Sequence, residues 1–136
     1  ADFMKVAPKQ QAMINEFMRE YVDRSYKTPM NAVRLNVDHT DAHRRTIFEV
    51  CNALLQEKIP FFTEVRLKCG TIPDIVCPTH VVPFIEVLSS ETIEMFEDLK
   101  LAKYPSEFQL RYTGSGKLKS FIFVDAQQEF SKEDLL

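Results

Sequence analysis

Residues 61–90 read FFTEVRLKCGTIPDIVCPTHVVPFIEVLSS, three short runs of β-branched and aromatic residues broken by Cys69-Gly70 and by Cys77-Pro78-Thr79-His80. Such runs predict strands. Their connections are too short for the crossover that a parallel pair needs, so strands over 61–68, 71–76 and 81–88 form an antiparallel meander. Each run carries one acid: Glu64, Asp74 and Glu86. A carboxylate buried in a sheet is costly unless something pairs with it.

Side chains alternate faces along a strand, so Val82, Phe84, Glu86 and Leu88 share one face and Val81, Ile85 and Val87 the other. Asp74 follows Pro73, which cannot donate to a ladder, and its strand is expected to be irregular or at an edge. Adjacent strands bring Asp74 and Glu86 close, where like charges raise each other's pKa unless a cation lies between them. Mg²⁺ and similar hard cations take one or two protein carboxylates together with waters and phosphate oxygens. A bound ion of that kind assists phosphodiester cleavage. The alternative reading is structural: acids on edge strands guard against aggregation, and Glu64 pairs with Arg66 or Lys68 across strands.

Around this stretch the pattern predicts helical cover. PKQQAMINEFMREYVDRSY spaces Ala12, Met13, Phe17 and Tyr21 along a helix, with Pro8 in its first turn. TPMNAVRLNV alternates Val33, Leu35 and Val37 with Arg34 and Asn36, as a half-buried strand does. DHTDAHRRTIFEVCNALLQEKI, capped by Asp38, Thr40 or Asp41, lines up Ile47, Val50, Cys51, Leu54 and Leu55, and Pro60 ends it. SSETIEMFEDLKLAKYP predicts a Ser90-capped helix with Ile93, Phe96 and Leu99 on its packed face, stopped by Pro105. EFQLRYT, GSGK and LKSFIFVD read as a hairpin, and AQQEFSKEDLL as a tail with a short helix. The expected order is helix, strand, helix, three strands, helix, two strands, in one domain: residues 1–38 an N-terminal helix and strand extension, 39–125 the core, 126–136 a tail.

The 136 residues carry a formal charge of −3, which excludes a generally basic coat and leaves nucleic-acid contact to local patches. No apolar run approaches the ~20 residues that span a bilayer, and the start, ADFMKVAPKQQ, lacks the apolar stretch of a signal peptide. Three cysteines without a CxxC pair read as reduced thiols of an intracellular protein. Cys51 belongs to an apolar stripe, and Cys69 and Cys77 lack the histidine partner of a thiol nucleophile. His39, His43 and His80 form no spaced metal cluster in the sequence.

The succession HRRTIFEVCNALLQEKIPFFTEVRL, then Pro73-Asp74, then Ile85-Glu86-Val87, resembles the PD-(D/E)XK nuclease-like superfamily over about residues 41–125. The resemblance implies an α/β fold bordering on α+β: a restriction-endonuclease-like core whose central mixed sheet holds a three-strand antiparallel meander flanked by helices, plus the N-terminal helix. It implies a metal-dependent DNA nuclease in which Asp74, Glu86 and the Val87 carbonyl hold Mg²⁺ or Mn²⁺ and Glu64 is an accessory acid. The family's lysine, two residues beyond the second acid, is Leu88 here. Lys68, Lys100 and Lys103 are the candidates to supply that cation from elsewhere. The alternative is a non-catalytic nucleic-acid-binding or protein-interaction module of the same fold that has lost the lysine. DNA is the expected partner, and a homodimer an expected assembly because many family members pair.

For phosphate contact the candidates are Arg34, Arg44 and Arg45, near the start of the second helix, and Arg111, Lys117 and Lys119, around the Gly114-Ser115-Gly116 turn. Solvated charged faces are the plainer account of both groups. The run AVRLNVDHTDAHRRTIFEVCNALL also has a weaker likeness to a ribbon-helix-helix repressor, although Pro60 and strand-like sequence stand where its second helix belongs.

Overall fold

The structure is a computed structural model and describes residues 6–25 and 28–135. The first five residues, Tyr26 at the end of the expected first helix, and Leu136 in the tail lie outside that description. Helices α1 (Pro8–Tyr21), α2 (Asp41–Gln56) and α3 (Ile93–Leu99) cover a four-stranded sheet of β1 (Phe62–Thr63), β2 (Ile75–Val76), β3 (Phe84–Leu88) and β4 (Phe121–Asp125). The sheet order is β1-β2-β3-β4. The β1–β2 and β2–β3 pairs are antiparallel, and β3–β4 is parallel, joined through α3. This is a mixed α/β architecture, and the expected meander forms.

The strands are shorter than expected, for identifiable backbone reasons. Glu64 adopts a φ of 55°, a left-handed conformation that ends β1 after two residues. Pro73 delays β2 to Ile75, and β3 starts only after Pro83. The hairpin expected over 107–125 is reduced to a bridge between Arg111 and Leu118. Its second arm instead becomes β4 and pairs with β3, so the sheet gains a parallel strand.

Two further expectations are corrected. Residues 33–37 form no strand: Val37 is 87% exposed and Leu35 52%. With β1 cut short there is little edge to join, and side-chain bonds tether the segment instead. The Arg34 N–H donates to Thr63 Oγ1 at 3.0 Å, and that hydroxyl donates to the Ala32 carbonyl at 2.8 Å. Without this strand the repressor likeness loses its DNA-reading element. In α3 the cap is Thr92, not Ser90, and the helix ends at Leu99. Of its expected face only Phe96 is buried, while Ile93 and Leu99 are exposed.

The alternation along β3 divides the interior in two. Phe84 belongs to an aromatic cluster with Phe96, Tyr104, Phe108 and Phe121, against which α1 packs Ile14, Phe17 and Tyr21. Ile85 and Val87 belong to the other cluster, with Ile47, Val50, Cys51 and Leu54 of α2. Leu55, expected in that stripe, is exposed. Glu86 is on the Phe84 face, at 5% exposure.

Candidate metal centre

The register that pairs Ile75 with Ile85 and Val76 with Phe84 sets Asp74, one residue before β2, opposite Glu86. Pro73 keeps the ladder from continuing there, and the freed Asp74 carboxylate bonds the next strand instead: Oδ2 accepts the Val87 N–H at 2.7 Å. A cavity of about 420 Å³ opens at this end of the sheet, and Asp74, Glu86, Val87, Leu88, Lys100 and Lys103 all line it.

Burial pushes the Glu86 carboxyl well above its ordinary value, the Asp74 carboxylate pushes it further, and the Lys100 ammonium opposes both. Glu86 stands opposite Asp74 across the two strands, so the two carboxyls oppose each other's ionisation and a cation between them would relieve both. Tyr104 is buried beside them, and its phenol is pushed upward by burial and by Glu86. The cavity wall also carries Glu91, whose Oε2 lies 3.3 Å from Lys100 Nζ and whose Oε1 is buried without a partner. The lining holds four carboxyls, Asp38, Asp74, Glu86 and Glu91, against two ammonium groups, Lys100 and Lys103.

Two histidines complete the wall. Thr40 caps α2, its Oγ1 accepting the His43 N–H at 3.1 Å. That cap places His39 just before the helix and His43 in its first turn, with rings stacked at 4.0 Å and nearly parallel. His43 Nε2 lies 3.4 Å from Asp74 Oδ2.

The remaining sequence candidates divide clearly. Glu64 leaves the strand through its left-handed backbone and lines a small crevice behind Asp74 together with Arg34 and Arg44. Lys68 is turned away, donating from Nζ to the Arg19 carbonyl at 2.5 Å, and does not line the cavity. Arg44 donates to the His39 carbonyl, and Arg45 pairs with Asp41 at 2.5 Å. Arg111 pairs with Glu97 at 2.7 Å and, with Lys117 and Lys119, lines a different cavity beside β4. Lys119 Nζ lies 5.7 Å from the Tyr112 ring. His39 and His43, set aside in the sequence because with His80 they form no spaced metal cluster, are brought together with Asp74 by the fold, their ligand atoms all within 4.8 Å of one another; Glu91 was not singled out. The signal available for the histidines was their spacing across a helix start; for Glu91 there was none, since it reads as an ordinary residue of a capping segment.

Among the described residues no helix is long and apolar enough to cross a membrane. No protein-family model, curated protein or solved structure matches the chain.

Proposed function

We propose that the chain is a metal-dependent nuclease hydrolysing DNA phosphodiester bonds on a restriction-endonuclease-like core. The observation that carries this reading is the meeting of Asp74 and Glu86 on adjoining strands, in an open cavity whose wall holds the Lys100 ammonium. The order of elements from α2 through the meander and α3 to β4 is the order the resemblance implies.

The residues fit a hard divalent cation. A buried glutamate opposite a second acid gains from added positive charge, which would let both ionise. Asp74, Glu86 and the Val87 backbone would hold Mg²⁺ or Mn²⁺, which when bound supplies Lewis acidity toward a phosphate oxygen. The chain's own groups do the rest. Lys100 faces Glu86 and offsets negative charge on an incoming phosphate, the task of the lysine replaced by Leu88. Lys103 adds positive charge to the same cavity wall. The aromatic layer of Phe84, Phe96 and Tyr104 excludes water behind Glu86 and keeps the site's dielectric low.

The test is incubation of the purified chain with linear and circular DNA, with and without Mg²⁺ or Mn²⁺. Metal-dependent cleavage supports the reading. The second reading, a DNA-binding module that does not cut, is favoured by the ion pair holding Lys100 to Glu91; binding without cleavage under any metal would select it.

A further inference from the structure

We infer that His39, His43 and Asp74 form a second cation site, selective for a borderline transition ion such as Zn²⁺, that competes with the carboxylate pair for Asp74. Their ligand atoms all lie within 4.8 Å of one another. Two imidazoles and one carboxylate are a donor set suited to zinc, with a fourth position left open to water.

One edge of such a site is already assembled. Zinc bonds of about 2.0–2.2 Å put tetrahedral ligand atoms roughly 3.4 Å apart, and His43 Nε2 already stands 3.4 Å from Asp74 Oδ2. That nitrogen is buried and has no hydrogen-bond partner, whereas buried polar atoms are ordinarily satisfied. Its ring faces the cavity, so a cation is the partner the site lacks. His39 stacks on His43 with nearly parallel rings 4.0 Å apart, so closing the third edge requires its ring to rotate out of the stack and turn a nitrogen toward the same ion. It lies ahead of the helix, where the Arg44 guanidinium holds its carbonyl and the Thr40 cap fixes the chain direction.

Hard cations prefer the all-oxygen pair of Asp74 and Glu86, while the imidazoles draw the softer ion toward α2. Both sites need Asp74, so zinc occupancy removes one acid from the other site. That regulatory consequence rests on the nuclease reading; the binding chemistry does not.

The experiment is calorimetric titration of the full, tag-free chain with ZnCl₂, in a Cys69→Ser background so that the exposed thiol contributes nothing. Co²⁺ absorption in the visible gives a second readout of imidazole ligation. One zinc per chain is expected, with His39→Ala and His43→Gln each weakening it at least tenfold, on the order of what disturbing a ligand set costs. Glu86→Gln should still bind one zinc per chain, since Glu86 is no part of this ligand set, and Lys68→Ala, which lies outside the cavity, should leave zinc affinity within about twofold. Circular dichroism of His39→Ala should match the parent. No stoichiometric zinc binding, or binding lost in Glu86→Gln and kept in His39→Ala, would overturn the proposal. Zinc bound by a chain that never cuts DNA would leave this site standing and reject the nuclease alone.

Discussion

The Val87 N–H donates to Asp74 Oδ2 at 2.7 Å, so the acid before β2 is locked onto the strand that carries Glu86. One bond thereby fixes the spacing of the two carboxylates and spends a backbone donor that the irregular start of β2 leaves over. Removing the acceptor should cost both stability and activity. Asp74→Ala is expected to lower unfolding free energy by about 1–3 kcal/mol, the cost of an unmet buried donor, and to abolish metal-dependent cleavage. Denaturant melts and a cleavage assay on one preparation check both.

Glu86→Gln should do the opposite to stability. Burial and Asp74 raise the folded-state pKa of Glu86 above its ordinary 4.5, so the metal-free folded chain holds this proton more tightly than the unfolded chain. That advantage is full below 4.5 and is lost as pH rises through the folded value. Above it, wild type carries the cost of an ionised buried acid. The Gln variant should therefore melt higher than wild type at neutral pH in EDTA, with a flatter pH profile above 4.5. A series of melts across pH decides this, and equal profiles would count against a strained Glu86.

Lys100 is expected to carry the duty absent from position 88. Lys100→Ala should slow cleavage on the order of 10²-fold, as loss of one positioned charge does, while Lys68→Ala, whose ammonium serves the Arg19 carbonyl, should cut normally. Leu88 is half-buried and lines the same cavity, so Leu88→Lys in the Lys100→Ala background should restore part of the rate. Single-turnover rates for the three variants measure it.

Thr40 anchors the start of α2 and with it both histidines. Thr40→Ala should cost about 1 kcal/mol of stability and weaken zinc binding more than Mg²⁺- or Mn²⁺-dependent cleavage, because the cap positions His39 and His43 while leaving Asp74 and Glu86 in place. Paired zinc titrations and cleavage rates separate the two effects.

The central meander and the pairing of Asp74 with Glu86 were legible because strand alternation and short connections depend on local residue order. So was α2, whose Ile47, Val50, Cys51 and Leu54 all reach the core. The lost strand at 33–37 was not legible: its alternation is real, but strand formation needs an edge, and Glu64's backbone removes it. The same limit applied to β4, whose apolar run fits a hairpin or a parallel pairing equally well until β3 offers a longer partner. For the site, the carboxylates announced themselves as acids in apolar runs. His39 and His43 did not, because their ligand partner Asp74 is distant in sequence and only the folded sheet brings it to the helix start.

The most direct measurement of the central claim is the initial rate of DNA cleavage by wild type and Glu86→Ala, side by side, in Mn²⁺ and in EDTA. The account predicts cutting by wild type in Mn²⁺ alone and none by the variant, whose circular dichroism stays that of the parent. Cleavage by Glu86→Ala at the wild-type rate, or no cleavage by wild type under any divalent metal, would contradict it.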